Sequence, residues 1–151
     1  MERARFDEYI ARFNAQDTTA FEEFLADDMH MTNGTLEFTG VDGMKEHYAK
    51  IWSTFSEGLT VGRFVSDERH VAIEMDAHFE AQRDDPESMF GPVVRGECFD
   101  FSGLIIYDLR DGKFAKIRVA YNRFTHTRPD GTVEELGIPH DFNRRMDVHI
   151  H

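Results

Sequence analysis

A single cysteine, Cys98, stands in 151 residues, so no disulfide can form within the chain. That scarcity suits a reducing compartment, and the cytoplasm is the expected location. Basic residues are also few: 17 Lys and Arg face 29 Asp and Glu, for a formal charge of −12. Proteins that grip a phosphate backbone do so with cations, so no nucleic-acid partner is expected. No apolar run approaches the roughly 20 residues that cross a bilayer, and the opening Met-Glu-Arg-Ala-Arg-Phe-Asp lacks the apolar stretch of a signal peptide. No membrane partner is expected either. What is plentiful is phenylalanine, 14 residues of it. A chain of this length buries roughly two-thirds of its unfolded surface, so a core of large rings is within reach.

Phe6, Tyr9, Ile10 and Phe13 recur at the spacing of a helix with one apolar face. Asp17 and Thr18 read as a break and cap before a second short helix carrying Phe21, Phe24 and Leu25. Two β-like runs, Met29 to Thr32 and Thr35 to Phe38, flank the turn pair Asn33-Gly34. A third helix begins near Asp42, with Met44, Tyr48, Ile51, Trp52 and Phe55 on one face and Gly58 as its stop. Sheet follows. Thr60 to Val65 is a strand, and the next one alternates: Val71, Ile73, Met75, Ala77 and Phe79 on one face, Ala72, Glu74, Asp76, His78 and Glu80 on the other. A polar loop over 84–92 precedes two long β-runs, 96–107 and 113–121, that meet at Asp111-Gly112, a strong hairpin signal. Helices first and antiparallel strands later mean an α+β class. No repeat or boundary divides residues 1–124. The span 125–151, broken by Pro129-Asp-Gly131 and Gly137-Ile-Pro139, reads as a C-terminal tail that packs on a dimer partner or stays free of the domain.

This order resembles the nuclear-transport-factor-2-like superfamily, a cystatin-like cone of three N-terminal helices in a strongly curved, mixed but mainly antiparallel sheet. Tyr9-Ile10-Ala-Arg-Phe-Asn14-Ala-Gln-Asp17, then Ala26-Asp27-Asp28, is similar to the opening of bacterial ketosteroid isomerases. The likeness runs on through Phe38-Thr-Gly40, the Met44–Tyr48 helix and the Asp-Gly-Lys hairpin, over residues 5–124. It implies a cone enclosing one pocket. The superfamily holds isomerases, cyclases, dehydratases, epoxide hydrolases and pure binding modules, so the likeness does not by itself choose an activity. The isomerases' oxyanion-donating tyrosine falls on Tyr9. Their general-base aspartate falls on Asn33, an amide with no basic lone pair. Their second oxyanion donor falls on Leu104, and their last-strand tryptophan on Tyr121. The last-strand aspartate of the epoxide hydrolases reads Val119, and the helix-one aspartate of the dehydratases reads Asn14. SnoaL-type polyketide cyclases need a pocket carboxylate, for which Asp100 is the candidate.

If Leu104 faces the pocket as that match implies, alternation turns Cys98, Asp100 and Ser102 inward as well. Asp100 is then a desolvated acid or base; otherwise it is solvated or paired with Arg95 or Arg118. The expected catalytic set is Asp100, Tyr9 and Asn33, with Tyr9 and Asn33 donating to a developing enolate oxygen. Ser102, Leu104, Ile117, Val119, Tyr121, Tyr48, Trp52 and Met75 are expected to line the ligand site, Tyr48 and Trp52 as core residues that also form its wall. Phe99 and Phe101, on the other side, fit a dimer interface or the underside of the tail. Asp76 and His78 share their face with Glu74 and Glu80, which reads as solvated or dimer-facing. No pair of histidines has a zinc spacing, so no metal is expected, and Cys98 lacks an evident activating base. The expected protein is SnoaL-like or ketosteroid-isomerase-like, a homodimer binding a small apolar or cyclic ligand. Its chemistry, if any, is cofactor-free proton transfer: isomerisation, cyclisation or dehydration. The alternative is a non-catalytic ligand-binding or assembly module.

Overall fold

Aromatic side chains spaced for one helical face decide how the N-terminus docks. The structure, a computed structural model, describes residues 1–136. Helix α1 (Arg3–Asn14) buries Phe6, Tyr9, Ile10 and Phe13, and α2 (Thr19–Phe24) buries Ala20, Phe21 and Phe24. Asp17 joins the two helices. Its carboxylate accepts from the Thr19 backbone N–H at 3.0 Å and from Arg12 Nε at 2.8 Å. A short β-hairpin follows, β1 (Leu25–Asn33) and β2 (Leu36–Thr39). Asn33 pairs with Leu36, so the two turn residues are Gly34 and Thr35, with Gly34 at φ +60° where only glycine is unstrained. Helix α3 (Gly40–Trp52) buries Met44, Tyr48 and Ile51. It ends six residues before Gly58, and Phe55 already belongs to the next strand.

The remaining strands are β3 (Phe55–Ser66), β4 (His70–Ala81), β5 (Asp85–Ser88), β6 (Gly91–Val93), β7 (Cys98–Arg110), β8 (Lys113–Thr127) and β9 (Val133–Glu135). The main sheet runs β2-β1-β8-β7-β4-β3, with β9 added against β8. All neighbours are antiparallel except β1 and β8, which run parallel. The sheet is mixed, curved and not closed, with the helices in its hollow. Asp111 and Gly112, at φ +53° and +74°, make the tight β7–β8 turn that the Asp-Gly pair announces. Strand β8 continues past residue 124 to Thr127, and the chain then returns as β9. The polar loop over 84–92 contains the small hairpin β5–β6, which plants Phe90 against Phe99 at 4.4 Å between ring centroids.

The hollow of the sheet is the core. Val71, Ile73, Met75, Ala77 and Phe79 of β4 point into it, as their alternation predicts. So do Phe99, Ile105 and Tyr107 of β7, with Phe101 half-buried beside them. This corrects the expected face of that strand. Phe99 and Phe101 are interior, stacked with Phe90, Phe124 and the His126 ring, and they are not dimer-facing. Cys98, Asp100, Ser102, Leu104 and Ile106 point outward. The apolar run Leu104-Ile-Ile-Tyr107 fits either phase; the Phe-Asp-Phe-Ser order before it fits only this one. A one-residue error in phase exchanges the two faces of a strand.

Candidate active site

Twelve-residue strand β3 leaves α3 on the sequence Phe55-Ser-Glu-Gly-Leu59, so period two puts Glu57 on the same side as Phe55 and Leu59. That side is the interior. Glu57 is 8% exposed and lines a cavity of about 110 Å³. Around it stand Tyr9 and Phe13 from α1, Met44, His47 and Tyr48 from α3, and Met31 and Asn33 from β1. Met75 and Phe79 of β4, Phe101 and Ile105 of β7, and Ile117, Val119 and Tyr121 of β8 complete much of the wall. The lining is mostly apolar with a few convergent polar groups, the usual makeup of a small-molecule site.

Glu57 is a carboxyl in low dielectric with too few partners. Its Oε1 is buried and makes no hydrogen bond, and the same holds for Nε1 of Trp52. Burial, the dominant effect, pushes the Glu57 pKa from its ordinary 4.5 up to about 8; the nearby Trp52 N–H opposes this. Removing a carboxylate from water disfavours its charged form, and the Trp52 N–H restores only a small part of what water supplied. Burial also raises the pKa of Tyr9, Tyr48 and Tyr107, and the charge of Glu57 adds to the rise at Tyr9 and Tyr48. All three phenols therefore keep their protons and remain donors. His47 is held the other way: burial first, then Lys50, lowers its pKa, so its ring is neutral. It stacks on Phe38 at 4.9 Å.

Beside the cavity lies a groove of about 420 Å³. Leu36, His47, Ile51 and Met89 line both, which places the groove at the cavity mouth. The residues it does not share with the cavity are mostly polar, Lys50, Ser53, Thr54, Asp85, Glu87 and Ser88, with Phe55 among them. Asp85 is fixed by the Thr54 hydroxyl at 2.5 Å and by Arg83 at 3.5 Å. That hydroxyl lowers the Asp85 pKa most, followed by the Glu87 backbone N–H.

Of the residues expected from sequence, Tyr9, Asn33, Tyr48, Met75, Ile117, Val119 and Tyr121 meet at the cavity. Tyr121 packs edge-on against Phe101 at 5.1 Å. Trp52 is not part of the wall; it packs on Phe13, Phe21 and Tyr48 behind it. Asp100, Ser102 and Leu104 are on the outer face of the sheet, away from the cavity. There Asp100 is 2.6 Å from His78 Nδ1, and the Ser102 hydroxyl donates to Asp76 at 2.5 Å. The Arg95 and Arg118 pairings considered for Asp100 do not form; Arg118 reaches Asp108 instead, at 2.6 Å. The Cys98 thiol is pushed up by burial, then by Glu80 and Asp100, which is the opposite of nucleophilic activation. Glu57 was missed because 55–58 reads as the frayed end of α3, with Gly58 as its stop. The Phe-x-Glu-x-Leu alternation across 55–59 is the signal that points to it.

A curved open sheet holding helices and a pocket in its hollow defines the nuclear-transport-factor-2-like class. Comparison with known proteins gives the branch. The SnoaL-like domain family matches residues 6–117, and the chain belongs to that family. Among solved structures, a proposed polyketide cyclase from Xanthomonas campestris pv. campestris is 22% identical with a TM-score of 0.65, over 76% of this chain and 84% of that one. Another, from Pseudomonas putida KT2440, is 23% identical with a TM-score of 0.65, over 78% and 88%. An LEH-like epoxide hydrolase of M. tuberculosis is 13% identical with a TM-score of 0.62, over 77% and 78%. Likeness at these identities establishes a common fold. No curated protein matches the sequence. Among the described residues, no helix is long and apolar enough to cross a membrane.

Proposed function

We propose that the protein binds a small, mostly apolar ligand in the cone and moves a proton on it, with Glu57 as the acid–base group. The observation that carries this reading is the desolvated Glu57 carboxyl facing the cavity, its Oε1 without a hydrogen bond and its pKa about 8. A general base works best when its pKa lies near the working pH. At pH 7 about a tenth of Glu57 is ionised, enough to take a proton from carbon next to a carbonyl, and the acid form can return it elsewhere. Tyr9 or Tyr48 then donates to the enolate oxygen that develops, with the Asn33 amide as a further donor. Isomerisation, cyclisation and dehydration all fit this cofactor-free scheme.

Size narrows the ligand. A cavity of about 110 Å³ is below the roughly 300–1,000 Å³ that encloses a drug-sized molecule. One ring or a short acyl chain fits inside, and any larger, more polar portion extends into the groove by Lys50 and Asp85. The exposed side chains of Leu104 and Ile106, 57% and 43% accessible on the outer face, support a homodimer through that end of the sheet.

The test is exchange of the α-protons of small cyclic ketones in deuterated water, followed by NMR. The reading expects catalysed exchange, lost in Glu57→Gln. The second reading, a non-catalytic carrier, is favoured by the amide at Asn33 where the isomerases keep their base. It expects ketones to alter the fluorescence of Trp52, the sole tryptophan, without any exchange. Neither signal with any ketone of the panel overturns both.

A further inference from the structure

Strand pairing assembles, on the outer face of the sheet, a set of donors that no local spacing announces. His78 and Glu80 are two residues apart on β4 and share a side. Strand β7 places Asp100 opposite His78 and Cys98 opposite Glu80. One imidazole nitrogen of His78, the Cys98 sulfur and a Glu80 carboxylate oxygen lie within 4.8 Å of one another. Asp100 Oδ1 is 2.6 Å from His78 Nδ1. A carboxylate on one ring nitrogen fixes the tautomer and leaves the other, Nε2, as a lone-pair donor, which is how metal-binding histidines are oriented.

We propose that His78, Glu80 and Cys98 form a zinc(II) site, with Asp100 as the positioning residue for His78. The donor set itself selects the ion. Thiolate, imidazole and carboxylate together suit zinc, whereas magnesium and calcium take oxygen alone. A thiolate and a carboxylate balance the two charges of the ion. Tetrahedral zinc with these bond lengths needs donor–donor edges of roughly 3.3–3.6 Å, so the present spread closes with side-chain rotation. The site has room for it: His78 and Glu80 are exposed, and their neighbour across β3 at His78 is Gly58, where even an added Cβ meets nothing within 4 Å. Three protein donors leave the fourth position to water, so the ion is exchangeable. It would clamp β4 to β7 on the side of the sheet away from Glu57, independent of the proposed chemistry in the cone.

The experiment is titration of the full chain with cobalt(II) as the spectroscopic substitute, in the presence of excess magnesium. The expected result is one equivalent bound, with a near-ultraviolet thiolate-to-cobalt charge-transfer band that zinc abolishes. Cys98→Ser removes the band. His78→Gln and Glu80→Gln each weaken binding at least about tenfold, and Asp100→Asn keeps the band while weakening binding about 10- to 100-fold. Metal-free melting curves check that each of these variants folds. Absence of the band in the wild-type chain overturns the proposal. So does a band indifferent to His78→Gln, because the thiol then binds with donors other than these.

Discussion

The two faces of the same sheet treat acidic residues in opposite ways. On the outer face Asp76, Asp100 and Glu74 sit in water and each has a partner: the Ser102 hydroxyl, His78 and Arg63. On the inner face Glu57 has lost the water and gained almost nothing in return. The outer carboxylates keep both solvent and partners. Glu57 keeps neither in full, and its pKa is displaced to about 8. Chemical capacity in this protein follows desolvation and want of a partner, not the density of acidic groups, which 29 of them would otherwise spread everywhere.

Breaking the contrast at its strongest point means removing the inner carboxyl. Between pH 4.5 and about 8 the unfolded chain releases the Glu57 proton while the folded protein retains it. Unfolding is therefore favoured as pH rises through that window, and the loss levels off above about 8. The shift corresponds to up to about 5 kcal/mol. Denaturant melts at pH 5 and pH 9 should show Glu57→Gln losing less stability than wild type across this range; parallel pH profiles for the two would refute the burial argument. A carboxyl kept at that cost to stability is what a functional site looks like.

Next in size is the kinetic effect. Loss of a general base typically lowers rate about 10²–10⁴-fold, so Glu57→Gln should reduce proton exchange on a bound ketone by that factor, with Asp100→Asn leaving it unchanged. An outcome in which Asp100→Asn is the damaging variant would restore the outer face as the site. Tyr9→Phe should fall between, at about 10²-fold, as expected for loss of one oxyanion donor.

The wall shared by both faces can also be disturbed. At Gly103 a Cβ would fall 2.4 Å from the Ala120 carbonyl oxygen and 2.5 Å from Tyr121 Cα. The β7–β8 register shifts at this point, Asn122 being the extra residue that keeps Tyr121 and Phe124 both inward. Gly103→Ala should cost about 3 kcal/mol, measurable by denaturant midpoint. Least of all should happen on the outer face. Asp76→Asn or Asp100→Asn removes a contact between half-exposed groups and should move stability by less than about 1 kcal/mol.

The helices, the hairpin and the cone were legible because each rests on a local regularity. The Phe6-Tyr9-Phe13 stripe, the Val71–Phe79 alternation and the Asp111-Gly112 turn need no tertiary information. The site was half legible for the same reason: Tyr9, Tyr48, Met75 and Ile117 are interior by periodicity alone. Asp100 was misplaced because the match that put Leu104 inward assumed an ungapped hairpin, and β7 and β8 carry two register shifts. Glu57 was overlooked because a glycine after a helix reads as a stop, and Gly58 is instead the fourth residue of a strand. The donors around His78 were invisible to any spacing rule, since Cys98 lies 18 positions beyond Glu80 and only the register of β4 on β7 joins them.

The parallel seam between β1 and β8 has a consequence in time. Residues 25–33 leave the ribosome long before residues 113–119, yet Met31 pairs with Ile117 and Asn33 with Val119. A contact between segments so far apart in the chain forms only after a long loop has closed, and such contacts slow folding. Because Met31 and Asn33 line the cavity from one side of that seam and Ile117 and Val119 from the other, the pocket is born last. During synthesis β1 waits with one edge bare, and a nascent chain halted before residue 113 carries the helices and most of the acid–base residues but has no cone to hold them.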